Sequence, residues 1–187
     1  MQSIESTLCC PVCHGPVDRT PDGYFCAACG RLYPAVLGIP DFRVTLPEHF
    51  DQVKDLEMAR ALAEAEKDLD FDGLLKLCIR LTPKASDLQE KHLAHLAGEA
   101  DQARTALDLM DKRRPLEPAD AILEVGCGLG QYLAIAAERV NRVAGVDLCL
   151  RYLVLARKRL NGRGVVLAAE AERLPFRDGS FAGVIAA

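Results

Sequence analysis

The run Ala121-Ile122-Leu123-Glu124-Val125-Gly126-Cys127-Gly128-Leu129-Gly130-Gln131 constrains this chain more than any other stretch. Apolar residues around one acid lead into three glycines at alternate positions, and a helical pattern follows. Such a run predicts a buried strand that ends in a turn too tight for side chains and opens into a helix. Glycine tolerates positive φ and lacks a Cβ, so backbone N–H groups in the turn can approach a ligand closely. The glycines alone leave the ligand open, and the flanking residues have to decide it.

The pattern beyond the turn alternates. Ile122–Val125 reads as a first strand, Gln131–Arg139 as a helix, Arg142–Asp147 as a second strand and Leu150–Leu160 as a second helix. Gly164–Ala168 reads as a third strand, residues 174–180 as a loop, and Phe181–Ala186 as the start of a fourth. Arg157-Lys158-Arg159 closes the second helix where its dipole favours cations. This alternation predicts an α/β unit over residues 119–187, a Rossmann-like parallel sheet with right-handed crossovers.

Asp147 closes the second strand, 21 residues after Gly126. In an open α/β sheet that position sets a carboxylate beside the glycine turn, within reach of ribose hydroxyls. A nicotinamide dinucleotide would suit the acid, but its fingerprint is G-x-G-x-x-G, with room for a pyrophosphate. Here the spacing is Gly126-x-Gly128-x-Gly130, and Glu124 precedes it. A carboxylate there repels a pyrophosphate and suits a cationic amino-acid end, which favours S-adenosylmethionine.

Glu124-Val125-Gly126-Cys127-Gly128-Leu129-Gly130, Gly145-Val146-Asp147-Leu148 and Glu170-Ala171-Glu172-Arg173-Leu174-Pro175-Phe176 stand in one order and at one family's spacing. Together they resemble the three motifs of class I S-adenosylmethionine-dependent methyltransferases, in the subgroup with an L-P-F loop. The resemblance implies that Glu124, Gly126, Cys127, Gly128 and Gly130 surround the methionyl end, with Cys127 as packing. It implies that Asp147 holds the ribose, Leu148 packs on the adenine, and Glu170 with Ala171 meets the adenine amino group. Glu170 stands where the family usually has Asp, and Ala182 replaces a common aspartate. The family fold has seven strands, and the pattern here ends within the fourth. The chain is therefore expected to be part of such a domain, continued in a longer protein or completed by another chain. On strand order, strand one is expected to carry a poorly paired edge. Methyl transfer by in-line attack needs proximity more than acid–base chemistry, so no catalytic residue is singled out.

The N-terminal third carries a different signal. Cys10-Pro11-Val12-Cys13 and Cys26-Ala27-Ala28-Cys29 are two C-x-x-C knuckles with twelve residues between them. Two residues between thiolates let both sulfurs face one point, which suits tetrahedral zinc held by Cys10, Cys13, Cys26 and Cys29. Redox C-x-x-C pairs normally come singly, in a strand–helix context. Gly15 and Gly30 stand where tight turns follow the knuckles, and Thr20-Pro21-Asp22-Gly23 predicts a hairpin turn into Tyr24-Phe25. Cys9 is a spare ligand of poorer spacing, and His14 reads as a surface neighbour. A unit of residues 8–43 is too small to bury a core of its own, so metal is expected to supply one.

Leu8-Cys9-Cys10-Pro11-Val12-Cys13-His14-Gly15-Pro16-Val17, Phe25-Cys26-Ala27-Ala28-Cys29-Gly30-Arg31-Leu32-Tyr33-Pro34 and Gly38-Ile39-Pro40-Asp41-Phe42 resemble the zinc ribbons of methyltransferase-activator proteins and the similar ribbons fused ahead of methyltransferase domains. They are also similar to the ribbon of ribosomal RNA guanine-N1 methyltransferases, which tend to place a histidine near the last ligand. The second C-x-x-C departs from that, so a ribosomal substrate is not implied. A protein partner held through the ribbon is, and with it an alternative function as a non-catalytic adaptor or activator.

Residues 44–118 read as a helical, acidic linker or cap over a substrate pocket. Phe50, Val53 and Leu56, then Leu74, Leu75, Cys78 and Leu81, recur at helix-like intervals, with Thr82-Pro83 as a break. Ser86-Asp87-Leu88-Gln89 predicts a capping box. Leu93, Leu96, Ala97, Ala100, Ala103, Leu107 and Met110 mark one apolar face, and the helix ends at Lys112-Arg113-Arg114 before Pro115. His92 and His95 share a face without a third ligand and read as solvated.

Composition sets the outer bounds. Half of the 187 residues are apolar and 27% are charged, as in a globular chain, and the lack of Trp calls for an aliphatic core. The net charge of −4 divides into −1 over residues 1–43, −5 over 44–118 and +2 over 119–187. None of these is the basic footprint of a protein that grips nucleic acid unaided. No basic n-region precedes the first cysteines, and no run approaches the ~18 apolar residues of a membrane span. Eight cysteines without an export signal read as metal ligands and reduced thiols, in the cytoplasm; Cys78 and Cys149 are expected to be buried thiols.

Overall fold

The computed structural model describes residues 3–82 and 86–186, with the side chains of 86–99 left aside. After a short 3-10 turn at Ile4–Thr7 come four antiparallel strands in sequential order: β1 (Asp18–Thr20), β2 (Gly23–Cys26), β3 (Arg31–Val36) and β4 (Ile39–Pro40). The hairpin expected at residues 20–25 forms, with Asp18 opposite Phe25 and Thr20 opposite Gly23. Gly23 is obligatory there, because a Cβ at φ +146° would sit 2.0 Å from the Tyr33 carbonyl oxygen.

Three helices follow, α1 (Gln52–Ala65), α2 (Phe71–Leu81) and α3 (Ser86–Arg113). Asp51 and Asp70 cap the first two by accepting from Lys54 N and Gly73 N. The apolar face expected on α1 is displaced. Val53 is 69% exposed, and the buried stripe is Asp55, Met58, Ala59 and Leu62. Phe50 lies before the helix rather than on it. On α2, Leu74, Leu75 and Cys78 are buried as expected, while Leu81 is exposed. Ala103 and Leu107 of α3 are buried, and the helix ends one residue before Arg114. The capping box at Ser86 and the side chains of His92, Leu93, His95, Leu96 and Ala97 lie outside the described residues.

The remaining elements are β5 (Ala121–Val125), α4 (Gln131–Ala136), β6 (Arg142–Asp147), α5 (Leu150–Leu160), β7 (Val165–Ala168) and β8 (Gly183–Ala186). The four strands make a parallel sheet in the order β7-β6-β5-β8. β5 therefore has a partner on each side, which corrects the expected open edge on strand one. The chain returns past β5 to lay down β8, which is an outer strand of the sheet among the described residues. α4 is shorter than expected; after Ala136 the chain turns, and Asn141 N donates to Pro118 O.

Alternation along the strands splits the core in two. On one face Ile122, Val143 and Ile185 pack with α4 and α5, and α1–α3 add Leu62, Leu74 and Leu107 to the same cluster. On the other face Leu123, Val146 and Leu167 pack with Tyr24, Tyr33, Phe42 and Phe176. The N-terminal strands thus do have an apolar core, and they share it with the sheet. Metal is not their only source of cohesion.

Candidate functional site

The reversal in strand order sets the site. The chain runs from β5 outward to β7 and then returns to β8, so the crevice beyond the carboxyl ends of β5 and β8 is a topological switch point. The glycine turn occupies the end of β5. Gly126, Gly128 and Gly130 all adopt positive φ, at +73°, +47° and +73°. A Cβ on Gly126 or Gly128 would meet nothing within 4 Å, whereas one on Gly130 would lie 3.0 Å from Ala156 Cβ. The first two glycines leave an open cradle and the third lets the turn pack on α5.

Asp147, at the end of β6, reaches back to this turn. Its Oδ2 accepts from Gly128 N at 2.9 Å and its Oδ1 from Cys149 N at 2.8 Å. Glu124 is buried, and its Oε2 accepts from Leu133 N in the first turn of α4 at 3.0 Å. Both acids expected to face a ligand therefore also fix the protein's own backbone. Cys127 is buried against Gly145, and burial followed by the carboxylates of Asp147 and Glu124 pushes its thiol well up. That supports packing rather than chemistry. Leu148 is half-buried beside Asp147, and Ala171 is exposed in the turn after β7.

Glu170 also bonds the protein's own backbone. It is 6% exposed, and its carboxylate accepts the backbone N–H groups of Val44, at 2.9 and 3.0 Å, and of Thr45. Two backbone donors from a segment more than a hundred residues away thus engage both of its oxygens. Arg43 joins that segment to the site, donating from Nη1 to the Leu148 carbonyl at 2.8 Å. Nothing in the sequence marked residues 43–45, which carry no motif of their own.

Asp55 was missed for a similar reason. It is fully buried, accepts from Leu150 N at 2.8 Å and Arg151 N at 3.4 Å, and pairs with the Arg151 guanidinium at 2.7 Å. A side chain on α1 thereby caps α5, whose own Cys149 provides no cap. The available signal was an acid in register with the Met58, Ala59 and Leu62 stripe.

A second constellation lies in the N-terminal strands. The sulfurs of Cys10, Cys13, Cys26 and Cys29 all lie within 4.8 Å of one another and could hold a metal ion. Cys13 and Cys26 are 3.5 Å apart and Cys10 and Cys29 3.6 Å, near the edge of about 3.8 Å that a tetrahedron of ~2.3 Å metal–sulfur bonds requires. In the first knuckle His14, not Gly15, takes the left-handed conformation; Gly15 is needed because a Cβ would lie 2.9 Å from Ala28 Cβ. Cys9 is buried outside the cluster, its N–H donating to the Pro175 carbonyl.

The thiols of this cluster resist ionising together. Burial opposes the Cys10 thiolate, yet the Tyr33 hydroxyl at 3.0 Å and the backbone N–H groups of Cys13 and Val12 hold its pKa down to about 6. The Gly15 N–H favours the Cys13 thiolate, but Cys26, burial and the other sulfurs push it up to about 12. A divalent cation relieves this conflict.

Sheet order, glycine turn and Asp147 define a class: an α/β unit with an open glycine turn and a carboxylate at its topological switch point. Residues 123–187 match the family model of the methyltransferase domain. A malonyl-acyl-carrier-protein O-methyltransferase of Marinomonas sp. (strain MWYL1) is 36% identical over 85 residues, 43% of this chain and 32% of that protein. The chain spans about a third of that curated relative's length. Among solved structures, an amino pentose methyltransferase from Micromonospora echinaspora is 22% identical over 76% of this chain and 44% of its own, with a TM-score of 0.41. The geranyl diphosphate C-methyltransferase of Streptomyces coelicolor A3(2) is 22% identical over 56% of this chain and 41% of its own, with a TM-score of 0.44. The family match and the curated relative both point to a likeness to a methyltransferase domain, which the family model places in the C-terminal part of the chain, residues 123–187. No helix among the described residues is long and apolar enough to cross a membrane.

Proposed function

We propose that this chain is the metal-ribbon and cofactor-binding part of an S-adenosylmethionine-dependent methyltransferase. The observation that carries the reading is the pairing of an open glycine cradle with Asp147 at the switch point, inside the segment that matches the methyltransferase domain. When bound, the cofactor supplies a methyl group activated on a sulfonium. Gly126 and Gly128 give its methionyl end room to approach the backbone, and Glu124 supplies negative charge beneath it. Asp147 orients the ribose through lone pairs that its two backbone donors leave unused. Leu148 packs on the base. With the cofactor bound, the chemistry supplied would be transfer of its methyl group to an acceptor, and the chain's own contribution would be orientation.

Residues 8–43 form the ribbon in this reading, 44–118 the helical segment and 119–187 the cofactor unit. Zn2+ is the metal that a four-thiolate tetrahedral set suits, and its role is structural. Four metal-binding thiolates and four further reduced thiols suit a reducing compartment, the cytoplasm. The adaptor reading is the weaker one, since the match to a methyltransferase domain falls on the segment that carries the glycine turn and Asp147.

Calorimetric titration of S-adenosylmethionine into the wild-type chain and Asp147→Ala tests the proposal. Micromolar binding to the wild type and at least about ten-fold weaker binding to the variant is the expected result, the loss of one or two charge-assisted hydrogen bonds. Equal affinity in both would overturn the ribose assignment, and no binding by either would overturn the cofactor reading.

A further inference from the structure

The segment that leaves the ribbon does more than connect it to α1. Residues 41–45 run across the carboxyl ends of β7 and β6, where an open α/β sheet binds its ligand. Asp41 bridges to Ala168, and Phe42 N donates to the Ala168 carbonyl at 2.8 Å. Arg43, its side chain 4% exposed, forms a bidentate pair with Asp41 at 2.8 and 2.6 Å and uses its remaining Nη1 on the Leu148 carbonyl. Val44 N and Thr45 N then end on Glu170. Apart from the Asp41–Arg43 pair, which stiffens the strap internally, these bonds tie it to Leu148 and Glu170 of the proposed cofactor motifs and to Ala168 at the end of β7.

The strap is also held from the ribbon. The Tyr33 ring, whose hydroxyl contacts Cys10 Sγ, lies 4.8 Å from the Phe42 ring, and Tyr24 lies 5.4 Å from it on another side. On its outer side the strap borders an open groove of about 530 Å3 lined by Arg31, Tyr33, Arg43, Val44 and Leu46. Little protein covers it there, so the sheet-side bonds and the aromatic cluster set its position.

We infer that residues 41–45 form a wall of the cofactor site at its base end, and that Arg43 and Glu170 are positioning residues that hold this wall in place. This rests on the cofactor reading above. Glu170 then serves the base indirectly. Its charge is spent on two backbone donors, and the surface presented to the adenine is the strap together with Leu148, whose carbonyl Arg43 fixes. The longer Glu, where the related motif has Asp, reaches the strap. A carboxylate one methylene shorter would not span to the same N–H groups.

The test uses the full chain and S-adenosylhomocysteine as the probe. Arg43→Ala, Glu170→Ala and the double variant are titrated, with Arg43→Lys and Glu170→Gln as milder versions. Amide hydrogen exchange at Val44 and Thr45 is measured without ligand. Each alanine variant is expected to bind about ten-fold more weakly, and the double variant no more weakly than the worse single, because both remove one wall. Glu170→Gln, which keeps an acceptor oxygen, is expected to retain affinity within about three-fold and slow exchange at both amides. Additive losses in the double variant, or a loss in Glu170→Ala with none in Arg43→Ala, would overturn the inference in favour of direct contact by Glu170. Wild-type binding left unchanged by variants whose strap amides exchange faster would overturn it as well, while leaving the cofactor reading standing. No binding by the wild type would overturn both.

Discussion

Asp55→Ala is the sharpest test of how the helical segment is tied to the sheet. The wild-type carboxylate is fully buried, caps the N-terminus of α5 through Leu150 N and pairs with Arg151. Breaking a buried ion pair costs about 3–5 kcal/mol when the remaining charge stays buried. Arg151 is 23% exposed in its side chain and lies over the Tyr152 ring at 4.5 Å, so it can turn toward water and recover part of that loss. Leu150 N–H has no such escape, and an unsatisfied buried donor costs about 1–3 kcal/mol. The two together predict a loss of about 2–4 kcal/mol. Asp55→Asn, which keeps an acceptor for Leu150 N but not the charge, should lose roughly half as much. Urea unfolding followed by far-UV circular dichroism reads this as a lower midpoint at unchanged slope. A loss below about 0.5 kcal/mol for Asp55→Ala, within the range of ordinary surface changes, would refute the claim that α1 caps α5.

Other consequences are equally direct. Gly130→Ala should destabilise more than Gly179→Ala in thermal unfolding. Both sites have positive φ, but only the Cβ at 130 meets Ala156, and the difference should be about 1–3 kcal/mol; equal losses would count against close packing of the turn on α5. Tyr33→Phe removes the hydroxyl beside Cys10 Sγ and should lower metal affinity about ten-fold in a chelator competition, since groups that orient ligands usually count for that much. Cys26→Ser should lose the metal outright by elemental analysis, and unchanged content would refute the four-cysteine set. For pH, burial and the Asp147 carboxylate push the Cys149 thiol up to about 12, and burial pushes Cys78 up to about 11. The folded state then keeps protons that the unfolded chain releases near pH 9.0, so this stabilisation is complete below that value and is lost as pH rises through 11 and 12. Urea midpoints should fall above pH 9.0 in the wild type and less steeply in Cys78→Ala/Cys149→Ala; parallel slopes would refute the assignment.

Much of the molecule follows from local pattern alone. Arg142–Asp147 and Leu150–Leu160 are legible to the residue, because a short continuous apolar run closed by an acid and a cationic helix end are written in neighbouring positions. Two C-x-x-C knuckles bring four sulfurs together, since each pair is held by its own turn and only the β1–β2 hairpin has to close between them. The glycine turn and Asp147 meet for a comparable reason: parallel strands in register align their carboxyl ends.

What the tertiary structure decided has no local signature. Val53 fits a helical period as well as Met58 and Leu62 do, and only the packing of α1 on α5 leaves it in solvent while burying those two and Asp55. The partner of Glu170 could not be read from its motif, because Val44 and Thr45 offer nothing but backbone N–H groups, which every residue has. The core beneath the ribbon was equally hidden. Tyr24, Tyr33 and Phe42 look like the filling of a small metal unit until Leu123, Val146 and Leu167 are set beneath them. Sequence determines which groups can bond or be buried; the choice among competing partners belongs to the arrangement of elements in space, where burial makes each unsatisfied group costly.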